Sequence, residues 1–295
     1  MKVCYYPGCT LKTQAKNFED SAVAAMAALG VEMEELKRWT CCGTVFPLAT
    51  DSLINHLAPM RNLIRTKEQG GEKLVTLCSM CYNTLKRSNL YLKGDPEKLE
   101  RLNGFMYEEE TKYDGRIEVV HPLEILRDEI GFEALTEQVK VLLRGLKVAP
   151  YYGCLLLRPE GVGLDDREEP TILRDLIASL GAQAIDFPYK TECCGAFQTV
   201  NNVQLVAERT ESIIGSAVRA GAEVVITSCP LCGFNLGRRQ QDARRSFQNF
   251  RGIPVLYFTQ LMALSLGLGE RVCGFDLNYV DSRPLLIAKK LIAEG

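Results

Sequence analysis

The amino-acid sequence predicts an α/β protein made of two duplicated Rossmann-like α/β halves with mainly parallel sheets and with cysteine clusters at the C-terminal strand ends. Three observations carry this. The cysteines repeat: Cys9, Cys41, Cys42, Cys78 and Cys81 read C-x31-C-C-x35-C-x2-C, and Cys154, Cys193, Cys194, Cys229 and Cys232 read C-x38-C-C-x34-C-x2-C. Short apolar, β-branched runs alternate with segments of helical period, the order that builds parallel sheets with crossover helices. A chain of 295 residues suffices for two medium domains, each with its own core.

In the first half, Val3 to Tyr6, Val31 to Leu36 and Leu74 to Leu77 read as strands. Thr13 to Leu29 is an Ala-rich amphipathic helix that Gly30 can end, and Ser52 to Lys67 is a second helix disturbed by Pro59. In the second half the strands are Val148 to Tyr152, Ala184 to Phe187 and Val224 to Thr227. Its helices are Ile172 to Leu180, stopped by Gly181, and Val203 to Ala220, stopped by Gly221. The halves end alike, Ile117 to His121 then Leu123 to Ile130 matching Ile253 to Phe258 then Leu261 to Leu266. The join is expected near Gly145, giving domains 1–145 and 146–295, with an insertion at about 95–115 in the first. That insertion, Asp95 to Gly115, carries Glu108, Glu109 and Glu110 in a row and reads as solvated surface.

Composition narrows the function. With 46% hydrophobic and 24% charged residues and a formal net charge of −2, nothing favours nucleic acid or an anionic membrane. No stretch reaches the roughly 18 apolar residues of a spanning helix, since Ile253 to Gly269 is broken by Pro254, Thr259, Gln260 and Gly267. Pro7, Gly8 and Cys9 interrupt any apolar leader, so the expected location is cytoplasmic, without direct membrane insertion. Twelve cysteines exceed ordinary usage but fall below the roughly 8–10% of disulfide scaffolds. In a reducing compartment they serve as thiols or metal ligands.

Each repeated cluster follows a predicted strand, at the ligand-binding edge of a parallel sheet. A C-x2-C there puts two thiolates on one turn, facing free N–H groups and the positive end of a helix dipole. The glycines after each Cys-Cys pair, Gly43 and Gly195, let the backbone approach such a centre closely. Structural zinc takes four ligands, commonly from two C-x2-C pairs or from Cys with His. Each half supplies five cysteines, and adjacent cysteines suit a cluster whose neighbouring irons each take one thiolate. Zinc, disulfides and plain packing stay as alternatives on the residues alone. Five also differs from the four-cysteine ligation of common iron–sulfur clusters.

The double pattern resembles the cysteine-rich CCG domains of the B-type subunit of heterodisulfide reductase over nearly the whole chain. Tyr5-Tyr6-Pro7-Gly8-Cys9-Thr10-Leu11-Lys12 and Thr76-Leu77-Cys78-Ser79-Met80-Cys81-Tyr82-Asn83 are similar to that type of subunit in particular. The resemblance implies two noncubane [4Fe-4S] clusters, one held by Cys9, Cys41, Cys42, Cys78 and Cys81, the other by Cys154, Cys193, Cys194, Cys229 and Cys232. It implies reductive cleavage of a disulfide to two thiols by one-electron steps. It also implies two partners in the same complex, a ferredoxin-like iron–sulfur subunit of the C type and a flavin-containing subunit of the A type, able to bifurcate electrons. The competing class is an electron-transfer CCG subunit of a 2-hydroxy-acid, glycerol-phosphate or succinate dehydrogenase-type complex, without disulfide chemistry. Some of those carry a fused C-x2-C-x2-C-x3-C-P segment, which this sequence lacks.

Other residues have plainer readings. Cys4 and Cys273 fall outside the repeat and read as small buried hydrophobes. His56 and His121 are read as structural, with His121 a proton donor if the fold brings it near a cluster. Lys12, Lys86 and Lys190 lie close in sequence to cysteines and either meet an anionic substrate or stay solvated. Arg238, Arg239, Arg244 and Arg245 read as one solvated helix face, and they and the 95–115 insertion are the candidate partner contacts. No P-loop, no G-x-G-x-x-G after a strand and no H-E-x-x-H is present, and Gly161 to Leu164 lacks a strand-to-helix context. No flavin or nucleotide is therefore expected in this chain, and electrons are expected to arrive through a docked subunit.

Overall fold

A computed structural model describes residues 1–44 and 52–294. In the first half β1 (Lys2–Tyr5), β2 (Glu32–Glu35), β3 (Lys73–Val75) and β4 (Glu118–Val120) form a sheet of order β2-β1-β3-β4. In the second, β5 (Lys147–Pro150), β6 (Gln183–Ala184), β7 (Val224–Thr227) and β8 (Val255–Tyr257) repeat it as β6-β5-β7-β8. Every pairing is parallel. The duplication expected from the cysteines is thus a duplication of topology. The inner strand β7 is buried along its whole length, as a strand covered on both faces must be. The Glu-rich β2 lies at a sheet edge, where charge blocks further pairing.

The main helices are α1 (Gly8–Leu11), α2 (Lys16–Ala28), α3 (Leu57–Glu68), α4 (Ser79–Lys93) and α5 (Pro96–Gly104). After them come α6 (Pro122–Glu124), α7 (Phe132–Glu137), α8 (Ile172–Ser179), α9 (Val203–Arg219), α10 (Pro230–Arg238), α11 (Gln240–Ser246) and α12 (Phe258–Ser265). Gly30 ends α2 as expected: its N–H reaches Ala27 O while Val31 N–H reaches Met26 O, the paired bonds of a left-handed glycine cap. The helix expected from Ser52 is a 3-10 turn, Leu53–His56, leading into α3. Pro59 falls in the first turn of α3, where no helical N–H bond is needed, so it does not disturb the helix. The helix expected at Leu123 to Ile130 is a single turn, α6, running into a π-helix at Ile125–Ile130.

The 95–115 segment corrects its sequence reading. Asp95 caps α5 by accepting the Lys98 N–H at 3.1 Å, and Glu109 is buried against Arg61 at 2.6 Å and Arg65 at 3.8 Å. The acidic run therefore sends its middle residue inward. Two arginines four residues apart on one face of α3 meet it there.

Helices of the two halves pack on one another. α12, which follows the last strand of the second sheet, packs on α2 of the first. There Ser21 Oγ and Thr259 Oγ1 lie 2.7 Å apart and the Phe18 ring stacks on Tyr257 at 4.3 Å. Reciprocally, α7 of the first half packs on α8 of the second, where Thr136 Oγ1 donates to Ser179 O at 3.2 Å. Through Phe18 on Tyr257 the first half reaches the C-terminal end of β8 in the second, at the C-terminal strand ends.

Candidate metal centres

All ten repeated cysteines converge at those strand ends. Cys78 follows β3 in extended conformation and caps α4, with Cys81 in the first turn. Cys229 follows β7 and caps α10 in the same way, Pro230 taking the first helical position. Both C-x2-C pairs therefore face the free N–H groups and positive dipole of a helix start, as expected. The Cys-Cys pairs differ from expectation, since they come from longer loops rather than directly from strands: β2 ends at Glu35 and β6 at Ala184.

Two tyrosines that the sequence reading did not single out hold those loops. The Tyr6 hydroxyl donates to Thr40 O at 2.9 Å and the Tyr151 hydroxyl to Glu192 O at 2.6 Å. Each carbonyl belongs to the residue just before a Cys-Cys pair, and each tyrosine lies three residues before Cys9 or Cys154. The shared Tyr-x2-Cys spacing was the available signal. Asn62 adds a second tie in the first half, accepting Thr40 N–H at 2.9 Å.

The sulfurs approach one another as non-bonded neighbours. Cys42 Sγ lies 3.6 Å from Cys81 Sγ, and Cys194 Sγ lies 3.5 Å from Cys232 Sγ. These separations rule out disulfides between them and are close to the roughly 3.7 Å between two thiolates on one tetrahedral metal with bonds of about 2.3 Å. All twelve cysteines are free thiols. Cys78 and Cys229 lie close enough across the halves to shift one another, Cys78 upward and Cys229 downward. Alongside, Ser79 Oγ and Ser228 Oγ lie 2.7 Å apart.

Glycine clears the space, though not the glycine expected. A Cβ on Gly8 would stand 3.1 Å from Cys81 Sγ, and one on Gly153 would stand 3.5 Å from Cys232 Sγ. Both are left-handed, with φ of 70° and 66°. Gly43 and Gly195 are also left-handed, but a Cβ there would meet Ala58 and Val206 rather than sulfur. They turn the chain, while Gly8 and Gly153 admit the sulfurs.

Crowding fixes the protonation pattern. Hydrogen bonds from the Cys41 and Cys81 thiols hold Cys42 well below the ordinary thiol range. Cys229 is lowered likewise by Cys232 and Cys78. Cys193 is pushed down to about 6 by the Cys154 thiol, with help from the Gly195 N–H at 3.3 Å. The neighbours that donate, Cys41, Cys78, Cys81, Cys154 and Cys232, are all raised. Deprotonating every sulfur would stack negative charge in a buried seam, and a cationic centre offsets such a stack. Among the described residues no group of three or more His, Cys, Asp or Glu side chains is arranged around a single metal ion. Paired thiols, first-turn N–H groups and glycine clearance fit a polynuclear thiolate centre better than one tetrahedral zinc.

The remaining candidates are otherwise engaged. The buried His121 ring reaches Leu77 O through Nε2 at 2.9 Å and accepts the Leu123 N–H on Nδ1 at 3.2 Å. Both nitrogens are committed to backbone, which removes the proton-donor role left open by sequence and makes His121 the cap of α6. Burial pushes it down to about 4. His56 stacks on Tyr91 at 4.3 Å. Lys12 pairs with Glu19 and Glu35, Lys86 with Glu124, and Lys190 with Glu169 and Asp186. Cys4 is buried on β1, and Cys273 donates to Gln260 O at 3.4 Å. The arginine group is not one solvated face, because Arg239 is tucked against Thr199 O at 2.8 Å and over the Phe234 ring at 5.3 Å. No helix among the described residues is long and apolar enough to cross a membrane.

Comparison with known proteins agrees with the duplication. The family model described as the cysteine-rich CCG domain matches residues 3–86 and 148–237, once in each half. The chain is 33% identical over 282 residues to the 8-methylmenaquinol:fumarate reductase membrane anchor subunit of Wolinella succinogenes, covering 95% of this chain and 98% of that one. It is 29% identical over 297 residues to the B-type subunit of the ferredoxin/F420H2-dependent CoB-CoM heterodisulfide reductase of Methanosarcina acetivorans, covering 100% and 99%. A crystal structure of a hypothetical protein from Helicobacter pylori shares the fold, with a TM-score of 0.77 at 14% identity. The match covers 94% of this chain and 51% of that one.

Proposed function

The chain belongs to the cysteine-rich CCG family, and from that premise we propose that it is the catalytic iron–sulfur subunit of a heterodisulfide reductase-like complex, reducing a disulfide to two thiols. The observation that carries this reading is the meeting of the two five-cysteine sets at one seam, where Ser79, directly after Cys78, and Ser228, directly before Cys229, bring their hydroxyls within 2.7 Å. A disulfide has two sulfurs and needs two electrons, and two matched sets meeting at one seam offer a place for each sulfur. Cys9, Cys41, Cys42, Cys78 and Cys81 would hold one noncubane [4Fe-4S] cluster, and Cys154, Cys193, Cys194, Cys229 and Cys232 the other. When bound, such clusters supply one-electron storage and iron that can take a thiolate. The chain's own residues fix the frame: Tyr6 and Tyr151 hold the Cys-Cys loops, and Ser79 and Ser228 hold the C-x2-C turns together. In this reading the halves divide at 145/146, the protein is cytoplasmic, and electrons arrive from a ferredoxin-like iron–sulfur subunit linked to a flavin-containing one.

The relative named as a fumarate reductase anchor subunit, at 33% identity, supports a second reading. In it the chain relays electrons within a dehydrogenase- or reductase-type complex and performs no disulfide chemistry. One experiment separates the two. Protein purified anaerobically should contain iron and acid-labile sulfide in near-equal amounts, and reduced viologen should then drive release of thiols from a model disulfide. Zinc as the dominant metal would overturn both readings. Full iron and sulfide without thiol release would leave the relay.

A further inference from the structure

A cavity of about 370 Å³ opens beside Cys9 of the first set and the C-x2-C turn of the second. Cys9 of the first set forms part of one wall, and Pro230 and Leu231, lying between Cys229 and Cys232 of the second, form part of the other. Its volume is that of a small-ligand pocket. Phe234, Tyr257 and Tyr279 supply most of its ring surface, with Phe234 and Tyr279 edge to face at 5.6 Å. Threonines, Gln14, the Cys9 thiol and the two tyrosine hydroxyls are the polar side-chain groups of its lining residues, and among the described residues no carboxylate, lysine or arginine lines it.

The nearby cations are turned to other partners. The Arg239 guanidinium lies over Phe234 and is bound to Thr199 O and to Asp242 at 3.2 Å. Arg238 donates to Gln241. Lys12 is held by two carboxylates. A sulfonate, phosphate or carboxylate entering the cavity would give up hydration to walls that carry no cationic side chain. An aromatic or alkyl group would instead bury its surface against Leu231 and the ring faces of Phe234 and Tyr279.

We propose that this cavity receives an uncharged, apolar arm of the substrate, so that the chain selects disulfides carrying at least one aromatic or alkyl arm over those whose arms are both anionic. The inference rests on the disulfide reading above and assigns its substrate class. Binding is measured with thioethers, which carry the arm but no reducible bond, so the result does not depend on turnover. Titration calorimetry on the anaerobically purified holoprotein compares benzyl methyl sulfide with 2-(methylthio)ethanesulfonate. The benzyl compound should bind at least roughly tenfold more tightly. Tyr279→Ala, at the exposed rim, should weaken benzyl binding by a similar factor while leaving the cluster absorbance unchanged. Equal or tighter binding of the sulfonate to the unmodified protein would overturn the proposal, as would benzyl binding that Tyr279→Ala leaves untouched. Failure of the disulfide reading would show separately, as absent thiol release from any disulfide while thioether selectivity persists.

Discussion

Ser79 Oγ and Ser228 Oγ lie 2.7 Å apart although they belong to different halves, one directly after Cys78 and the other directly before Cys229. Ser228 O also accepts from Ser79 N–H at 3.3 Å and from its hydroxyl at 3.2 Å. Both side chains are buried, so each hydroxyl is satisfied largely by the other residue. Removing the Ser79 hydroxyl strands that of Ser228 away from water at a cost of about 1–3 kcal/mol, whereas removing the Ser228 hydroxyl leaves Ser79 its bond to Ser228 O. Ser79→Ala and Ser228→Ala should each lower stability, and the double variant should lose less than the sum, by about 1 kcal/mol. Urea unfolding midpoints under argon measure the cycle. Simple additivity would mean that the pair does not couple the halves.

Gly8 and Gly30 share a left-handed backbone, with φ of 70° and 79°, but differ in surroundings. A Cβ on Gly30 meets nothing within 4 Å, while one on Gly8 meets Cys81 Sγ at 3.1 Å. Alanine at either site costs about 1–2 kcal/mol of backbone strain. Only Gly8→Ala should also lose iron, because it alone intrudes on a sulfur. Iron content per chain checks this, and equal loss in both variants would reduce the role of Gly8 to chain conformation.

Much of this was legible in the sequence, because the repeat of ten cysteines and the alternation of strands and helices are one-dimensional patterns. Strand positions agree to within one residue at several ends, and Val224–Thr227 agrees at both. The packing of α12 on α2 was not legible, since nothing local in Phe258–Ser265 says which helix of the other half it will meet. Glu109 reads as solvated for the same reason: its arginines lie more than forty residues away in the chain. Tyr6 and Tyr151 escape notice because burial of a tyrosine looks like ordinary core until its hydroxyl partner is known. His121 stays open in the sequence because only the fold shows both ring nitrogens bound to backbone.

Acid should weaken the fold through His121. Burial pushes its pKa from 6.5 down to about 4, so between those values the unfolded chain binds a proton that the folded chain refuses. Stability therefore rises with pH across this window and is lost as pH falls from about 6.5 toward 4, by about 3 kcal/mol in full. His121→Asn keeps a capping acceptor for the Leu123 N–H but carries no titrating ring. The difference in urea midpoint between the two proteins should shrink, or reverse in favour of the variant, on going from pH 7.5 to pH 5. A difference that does not change with pH would show that the ring is not held neutral.

Cys42 and Cys194 occupy matched positions, each paired to the second cysteine of its own C-x2-C at 3.6 and 3.5 Å. The sulfur contacts of Cys42 and Cys194 stay within their own halves. Loss of one ligand should accordingly damage one set and spare the other. Cys42→Ser and Cys194→Ser should each lose one paramagnetic centre and close to half of the iron. Their surroundings differ: Cys194 Sγ has the Asn235 amide at 3.5 Å, while Cys42 Sγ has the Thr44 hydroxyl at 3.1 Å. The two residual centres should therefore give distinguishable spectra. Disulfide reduction should fall by at least roughly tenfold in both, more than 1.4 kcal/mol of barrier, because each substrate sulfur needs its own set. Electron paramagnetic resonance of the reduced and thiol-treated variants, read beside viologen-driven thiol release, tests these statements separately. Undiminished turnover in either variant would contradict the need for two sets, and loss of both centres from one substitution would contradict their independence.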